Sequence, residues 1–378
     1  AAVPKAKQEF HKLQQFVQKY YNVTKINVWD IKFYNEKFKK HLFNLNDEDL
    51  RKYFEYKKVW EFLLQLVKRL FKINFKLITN AKKWHDLVEC YAIYDENNKL
   101  RSYMYLDLFV RKHKRSGAWM SEAISYFKHE TEQLPVSYLC CNFSPPNEEN
   151  ISLLTHNDVI TLFHEFGHNL HHVLTKVKYV NMSGTRNVEW DAVELPSQFM
   201  ENFCWQEEVL QEMAVHYKTG DKIPQKMLEQ LLEMHNFQKA SSLVRQLIFA
   251  KFDFSLHLAT SKLTADEIQL KLYEIQKSLL AYEIPADLYF QNAFTHIFSG
   301  SYAAGYYSYL WAEQLSCDAF AKFKEEGIFN TETCATFLHE ILEKGGSRPA
   351  KKSFVAFRGR EANIQALLLH YGIKNFVK

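Results

Sequence analysis

Cysteine, glycine and proline are all scarce in this sequence of 378 residues. The six cysteines are scattered and form no CxxC pair, which argues against a thiolate zinc site or a thioredoxin-like motif. The 11 glycines and 8 prolines, beside an aromatic content of 15%, exclude collagen-like repeats and an intrinsically disordered chain. With 47% hydrophobic residues the chain can bury a sizeable core, and we expect a folded globular protein.

The sequence also lacks a strong charge of either sign and a long apolar run. It carries 48 lysines and arginines against 44 aspartates and glutamates, a net charge of +4 that is too small to indicate nucleic acid or an anionic membrane as partner. No apolar run approaches the roughly 20 residues of a membrane span, and residues 1–7 lack the apolar core of a signal peptide. Because sparse cysteines suit a reducing compartment, we expect a cytoplasmic protein.

Hydrophobic periodicity predicts a mainly α-helical fold with a small β-sheet. Apolar residues recur at helical spacing in residues 1–80, for example at Leu13, Phe16 and Val17, and helical patterning returns over residues 155–378. No repeat, low-complexity tract or Pro/Gly/Ser-rich linker marks a boundary between these regions. We therefore expect residues 1–378 to form a single domain.

The small sheet is predicted within residues 86–143. Apolar and other residues alternate over 88–94, and Tyr103, Tyr105 and Phe109 follow a polar stretch at 95–98. This pattern is typical of a β-hairpin. The run from Pro135 to Phe143 resembles one more short strand.

The motif that carries chemistry is His164-Glu165-Phe166-Gly167-His168. Thr155 and Asp158 form a capping-box pattern, which predicts a helix from there to about Thr175. On a helix, His164 and His168 are four residues apart, share a face and can bind one Zn²⁺. Glu165 then lies beside the metal, where its carboxylate can take the proton of a water and later deliver it to the leaving amine.

Two downstream carboxylates are candidates for a third ligand. Glu189 lies in a segment with loop character, whereas Glu194 directly precedes an apolar run with Pro196 in its first turn. Since proline is tolerated in the first turn of a helix, that helix is expected to begin close to Glu194. A ligand on a rigid element is held better than one on a loop, so we favour Glu194.

Several neighbouring polar residues are candidates for supporting roles. His172 is four residues beyond His168, but we expect His171 and His172 to lie behind the ligands or to face solvent, because Glu194 supplies the third ligand. Gln198, Glu201 or Asp191 could each orient a ligand imidazole, as hydrogen-bond partners of metal ligands usually do. Spacing alone leaves these three alternatives open.

A second unusual segment is the aromatic and glycine-containing stretch 296–309, which reads His-Ile-Phe-Ser-Gly-Ser-Tyr-Ala-Ala-Gly-Tyr-Tyr-Ser-Tyr. Tyr302, Tyr306 and Tyr309 have the spacing of one helical face. One interpretation is an aromatic stripe in the core. The other is a set of donors for the negative charge that develops on a carbonyl oxygen during peptide hydrolysis.

Taken together, these motifs resemble the thimet oligopeptidase family of zinc metallopeptidases. The likeness runs from about Glu9 to Ile373. It is carried by the HEFGH motif and by Trp190 to Asn202 (WDAVELPSQFMEN), and further by residues 118–120, 141–143, 296–311, 357–360 and 369–373.

The resemblance implies a mainly helical, zincin-type catalytic domain of an oligopeptidase. It implies one Zn²⁺ per chain, with His164, His168 and Glu194 as metal ligands, and Glu165 as general base and then general acid. It further implies that His296 and Tyr309 polarise the substrate carbonyl, and that the peptide is contacted by the segment that contains Gly300, Tyr302, Gly305 and Tyr306.

Members of that family usually carry a long additional helical half before the matched region, which forms one wall of a substrate channel. Three explanations stay open: the sequence is one piece of a longer chain, it is a natural short form, or a separate chain or self-association covers the missing wall. The expected function is a metalloendopeptidase that hydrolyses short unfolded peptides in cytoplasmic peptide turnover. The alternative is a metal-containing peptide-binding protein with little or no activity, because a half-length member can lose productive substrate alignment.

Overall fold

Helices dominate the computed structural model, which describes residues 1–149 and 151–373. The predicted fold class, mainly α with a small sheet, is confirmed. The α-helices in the described residues are α1 (Ala2–Tyr21), α2 (Ile31–Phe43), α3 (Asp47–Arg51), α4 (Tyr56–Phe71), α5 (His156–Val173), α6 (Trp190–Val193), α7 (Leu195–Glu201), α8 (Glu207–Met213), α9 (Gln225–Met234), α10 (Lys239–His257), α11 (Ala265–Leu279), α12 (Thr295–Phe298), α13 (Ser308–Glu326), α14 (Thr331–Phe337), α15 (Ala350–Arg358) and α16 (Gln365–His370).

The main sheet has five strands in the order β1-β2-β3-β7-β4, and β5 pairs with β6 as a separate two-stranded ribbon. Strands β3 and β7 run parallel, while the other neighbours in the main sheet are antiparallel. The strands are β1 (Asn74–Leu77), β2 (Glu89–Tyr94), β3 (Leu100–Phe109), β4 (Trp119–Ile124), β5 (Phe127–Lys128), β6 (Glu132–Gln133) and β7 (Val136–Phe143).

The predicted hairpin and the predicted strand near residue 136 both form, but two strands of the main sheet were not predicted. Strands β2 and β3 pair across the polar turn, and β7 follows Pro135 as expected. Strand β1 was missed because only four residues form it, immediately after α4. Strand β4 was missed because most of its residues are half-buried, so that the alternation that reveals a strand is absent.

The chain forms two compact units. The first comprises Ala1–Leu45, Glu229–Trp311 and the segment from Gln365 onward, and the second comprises Asn46–Leu228 and Ala312–Ile364. The expectation of a single domain over 1–378 stays a prediction.

In the first unit, helix α1 buries the apolar stripe that its sequence predicts. Leu13, Phe16 and Val17 are buried there together with Ile26 and Phe38. Tyr20, in the last turn of the same helix, is half exposed.

The second unit contains the sheet, the HEFGH helix and a phenylalanine core. Phe199 of α7 stacks on Phe337 of α14 with ring centroids 4.0 Å apart. Rings of Phe203, Phe320 and Phe323 pack on the same cluster. Because burial of each phenylalanine side chain contributes on the order of 2 kcal/mol, this core holds α7 firmly in place.

Helix α5 begins as its sequence predicts. The Thr155 side chain accepts the backbone N–H of Asp158, and the Asp158 carboxylate accepts the backbone N–H of Thr155. The helix packs on the sheet through buried residues spaced three or four apart, which are Val159, Leu162, Phe163, Phe166, Leu170 and Val173. It ends at Val173, close to the expected end.

Among the described residues, no helix is both long enough and apolar enough to cross a membrane.

Candidate metal centre

His164 and His168 project from one face of α5 toward the carboxylate of Glu194. The Nε2 atom of His168 lies 3.0 Å from Glu194 Oε2, and the Nε2 atom of His164 lies 3.4 Å from the same oxygen. The two imidazole rings are 5.0 Å apart, and one ligand atom from each of the three residues lies within 4.8 Å of the others. Two imidazoles and one carboxylate so close together match the donor set of a zinc site that keeps an open position.

Glu194 lies at the junction of α6 and α7, where it is the C-cap of the first helix and the N-cap of the second. Pro196 occupies the first turn of α7, as predicted for a helix that begins beside Glu194. The Ser197 hydroxyl donates to Glu194 Oε2 over 2.9 Å, so one more bond orients the buried carboxylate.

Gly167 explains how α5 and α7 come close enough for this convergence. A Cβ atom at position 167 would overlap the carbonyl oxygen of Pro196 and lie 2.6 Å from Ser197 Cα. Only glycine therefore permits the backbones to approach at this point. The glycine inside the HEFGH motif sets the distance between the two histidines and Glu194.

Glu201 is the residue that orients the imidazole of His164. The Nδ1–H group of His164 donates to Glu201 Oε1 over 2.6 Å. This bond places a proton on Nδ1, so the lone pair of the Nε2 atom is available to a metal ion. Glu201 is one of the three predicted candidates, and this bond gives it the predicted orienting role.

Glu189, the rejected third-ligand candidate, has another task in the structure. Both oxygens of its carboxylate accept the backbone N–H of Ala350, at 3.1 Å, where α15 begins. A carboxylate at a helix N-terminus also interacts favourably with the helix dipole. The structure thus brings Glu194 to the histidines and uses Glu189 to cap α15.

The electrostatics of the cluster follow from burial and from the close charges. Burial opposes the charged form of Glu194, but the neighbouring imidazoles outweigh it and hold the pKa of this carboxyl well below its ordinary value. Burial likewise opposes a charged His164, yet the hydrogen bonds and charges of Glu194 and Glu201 raise its pKa well above the usual value. The ionised carboxylates of Glu194 and Glu201 therefore favour a positive charge beside the two histidines.

Glu165, the residue after His164 on α5, is itself buried. Its Oε2 atom has no hydrogen-bond partner, while the carboxylate accepts the backbone N–H of Met120 in β4. Burial raises the pKa of Glu165, and the adjacent histidines only partly counter this effect. A buried carboxylate of raised pKa with one unpartnered oxygen is suited to exchange a proton with a reacting group.

His171 and His172, which follow on α5, are both buried, so neither faces solvent. Burial lowers the pKa of His171 to about 3, which keeps the ring neutral. The Nε2 atom of His172 lies 3.0 Å from the carbonyl oxygen of Ile124 in β4. Of the two predicted alternatives, a position behind the ligands or exposure to solvent, both residues adopt the first.

In the first unit, the predicted aromatic residues of the segment 296–309 come together. Tyr302 stacks on Tyr309 with centroids 4.6 Å apart, and Tyr306 lies 5.2 Å from Tyr309. The His296 ring is 5.9 Å from that of Tyr306 and 6.3 Å from that of Tyr309. The four side chains form one aromatic cluster.

The backbone that carries this cluster differs from the predicted helical face. Of the three tyrosines, only Tyr309 lies in a helix, α13, whereas Tyr302 precedes a run of turns that includes Tyr306. The prediction of a common helical face is wrong because the small residues between 299 and 305 favour turns over a helix. Tyr306 is buried, and its hydroxyl donates to Gln246 Oε1 over 3.0 Å.

The two glycines of the segment have different environments. A Cβ atom at Gly300 would lie 2.7 Å from the carbonyl oxygen of His296, so the turn requires glycine there. At Gly305 the nearest atom would be 3.5 Å away, an ordinary contact.

The model of peptidase family M3 matches residues 1–373 of the chain. Among the relatives, oligopeptidase A of Salmonella typhimurium is 46% identical over 375 residues, a match that covers 99% of this chain and 55% of that protein. Dipeptidyl carboxypeptidase of Escherichia coli is 31% identical over 375 residues, with the same two coverages. The chain thus spans about half the length of the curated relatives it matches.

Solved structures share the fold at much lower identity. The structure titled "PZ peptidase A with inhibitor 2" matches 98% of this chain and 57% of its own, at 15% identity and a TM-score of 0.52. The M32 carboxypeptidase from Deinococcus radiodurans matches 98% of this chain and 74% of its own, at 11% identity and a TM-score of 0.54.

Proposed function

Because the chain belongs to peptidase family M3, we propose that it is a zinc-dependent metalloendopeptidase that hydrolyses short unfolded peptides. The observation that carries the proposal is the convergence of His164, His168 and Glu194 beside an unpartnered carboxylate oxygen of Glu165. Structural zinc sites usually close all four positions with cysteine or histidine, whereas this donor set leaves one position open.

His164, His168 and Glu194 would hold one Zn²⁺ per chain. When bound, Zn²⁺ supplies a Lewis acid that lowers the pKa of a coordinated water to about 7. Ser197 keeps the carboxylate of Glu194 in the required orientation, and Glu201 does the same for the imidazole of His164. These two ligands then meet the cation in a preformed geometry, which limits the free energy lost to ordering side chains on binding.

Glu165 would act as general base and then as general acid. Its carboxylate takes a proton from the attacking water and returns it to the amine of the leaving peptide. The bond from the backbone N–H of Met120 holds one side of the carboxylate, and the Oε2 atom is left for the proton. The buried position strengthens the interaction with the developing charges because the local dielectric is low.

The position of β4 supports an extended binding mode for the peptide. This strand is the last in the order of the main sheet, and its Met120 contacts the base Glu165. A peptide that pairs with β4 as an additional strand would gain backbone hydrogen bonds that do not depend on its sequence. Broad sequence tolerance within unfolded peptides is the expected consequence.

The aromatic cluster of the first unit would serve the same substrate. We assign to His296 and Tyr309 the polarisation of the scissile carbonyl, by donation to the oxygen on which charge develops. Tyr302 and Tyr306 would contact the peptide, together with the backbone at Gly300 and Gly305. The clustering of the four rings supports one shared role.

A metal-containing peptide-binding protein with little or no activity is the second candidate. The chain spans 55% of the length of oligopeptidase A from Salmonella typhimurium, and a shorter chain can lose productive substrate alignment. For this candidate we propose that a separate chain or self-association completes the substrate site. For either function we propose a cytoplasmic location and the whole chain as one catalytic domain.

Turnover of an internally quenched short peptide separates the two candidates. Hydrolysis that a chelator abolishes and added Zn²⁺ restores supports the metalloendopeptidase. Glu165→Gln is the matched control, because it keeps the size of the side chain but removes the base. Binding of the peptide without hydrolysis, at a full zinc content, would leave the binding protein as the function.

A further inference from the structure

Asp253 of α10 is completely buried, and both of its carboxylate oxygens hold the backbone of the aromatic segment. The backbone N–H of Ala304 donates to Asp253 Oδ1, and the N–H of Tyr306 donates to Asp253 Oδ2, each over 2.9 Å. Hydrogen bonds to a charged acceptor are about twice as strong as neutral ones. One side chain thus anchors two N–H groups that flank Gly305.

This buried carboxylate has a further partner one helical turn away. The Nδ1 atom of His257 lies 2.8 Å from Asp253 Oδ1. His257 is partly exposed, whereas Asp253 is not. A buried carboxylate is costly unless it is paired and hydrogen-bonded, and here three neighbours satisfy it.

The anchored segment contains backbone strain that needs such support. Ala304 has a φ of +57°, in the left-handed region, where a residue with a Cβ atom is disfavoured by roughly 1–2 kcal/mol. A strained non-glycine residue persists only where its surroundings hold it in place. The bond from its own N–H group to Asp253 provides this restraint.

Helix α10 contacts the segment at a second point. Gln246, two turns before Asp253, accepts the hydroxyl hydrogen of Tyr306. The ring of Phe249 lies edge-on to the ring of Tyr306, with centroids 5.6 Å apart. The same helix therefore fixes both the backbone and one side chain of the segment that carries the aromatic cluster.

We propose that Asp253 is a positioning residue for peptide binding, which keeps the segment from Ser299 to Tyr306 in the one conformation that presents the aromatic cluster. This inference rests on the proposed function, in which that cluster contacts the peptide. Asp253 itself does not touch the substrate. Its effect is to lower the ordering cost that the peptide would otherwise meet on binding.

The change Asp253→Asn tests the proposal because an amide keeps the size of the carboxylate but offers only one acceptor oxygen. One of the two N–H groups then loses its partner, and the segment samples other conformations. If the ordered fraction falls to about one tenth, the apparent KM rises about tenfold. The kcat stays within about twofold, since the segment is ordered once the peptide is bound.

A raised KM with a nearly unchanged kcat distinguishes a positioning role of Asp253 from a loss of folded protein. A smaller amount of folded enzyme lowers the measured kcat and leaves KM unchanged. The matched control is Asp318→Asn, which removes another buried carboxylate that accepts the N–H of Asn363 and pairs with Arg360 in the second unit. We expect an unchanged KM for this control.

Hydrogen exchange provides a readout that does not need activity. In the unaltered protein the amides of Ala304 and Tyr306 should exchange slowly, and in Asp253→Asn they should exchange at least about tenfold faster. Fast exchange of both amides in the unaltered protein would overturn the proposal even if the variant does not fold. Unchanged exchange in the variant, or an unchanged KM, would overturn it as well. Absence of hydrolysis by the unaltered protein refutes the proposed function alone, because the exchange experiment still decides whether Asp253 anchors the segment.

Discussion

Gly167 of α5 lies against the backbone of Ser197 in α7 so closely that a Cβ atom at position 167 would be 2.6 Å from Ser197 Cα. This contact brings the helix with the two histidines to the helix that begins at Glu194. Since the obstructing atoms belong to the backbone, no side-chain rotation could relieve the overlap.

Replacement of Gly167 by alanine should therefore separate the two helices and weaken the metal site. We expect at least a tenfold loss of zinc affinity and a destabilisation of about 1–3 kcal/mol, as is usual for overpacking. Zinc content after dialysis and thermal unfolding measure the two effects. Gly305→Ala, where the nearest atom would be 3.5 Å away, serves as a control that should keep its zinc. Full zinc retention in Gly167→Ala would refute the role of this contact.

The assignment of the third ligand predicts different effects for two glutamates. Glu194→Ala should deplete zinc, because it removes the carboxylate that lies 3.0 Å from His168 Nε2. Glu189→Ala should leave the zinc content nearly unchanged and lower only the stability, by about 1 kcal/mol, as expected for the loss of a helix cap. Metal analysis of both purified variants decides, and the reverse pattern would show that Glu189 is the ligand.

The role of Glu165 predicts loss of turnover without loss of metal. In Glu165→Gln the amide can still accept the N–H of Met120, but it cannot take a proton from water. We expect kcat to fall by roughly 100-fold or more while the zinc content and the melting temperature stay close to normal. Near-normal turnover in this variant would contradict the mechanism.

The hydrogen bond between Glu201 and His164 predicts a graded effect on metal binding. Glu201→Gln retains the size of the side chain but replaces a charged acceptor by a neutral one. Loss of such a partner typically costs 10–100-fold in metal affinity. Competition with a chromogenic chelator measures this loss, and an affinity equal to that of the unaltered protein would exclude an orienting role for Glu201.

Buried His156 predicts that the protein loses stability in mild acid. Burial lowers the pKa of His156 to about 4 from an ordinary value of 6.5, and its Nε2–H group donates to the carbonyl oxygen of Cys204. Unfolding releases the ring, which then takes up a proton below pH 6.5. The stabilisation is therefore fully present above pH 6.5 and declines toward pH 4, by an amount on the order of 3 kcal/mol.

Denaturant unfolding at several pH values measures this decline. His156→Gln keeps a donor for Cys204 but has no titratable ring, so its stability should depend less steeply on pH between 6.5 and 4. Equal slopes for the variant and the unaltered protein would show that other groups control the acid sensitivity.

Local sequence was sufficient for the elements whose cause is local. The capping pair Thr155 and Asp158, together with buried residues three and four apart, determined α5, and the spacing of His164 and His168 placed both imidazoles on one face. The hairpin of β2 and β3 was likewise predictable from alternation on both sides of a polar turn. The edge strand β4 was not, because its residues are mostly half-buried and show no alternation.

Only the tertiary structure decided which group each of several other carboxylates contacts. Glu189, Glu201 and Asp253 look alike in the sequence, yet one caps α15, one holds His164 and one anchors the backbone at Ala304. The spacing of residues on a helix follows from backbone geometry within a few positions. The partner of a carboxylate depends on which distant segments pack against it, and neither composition nor periodicity contains that information.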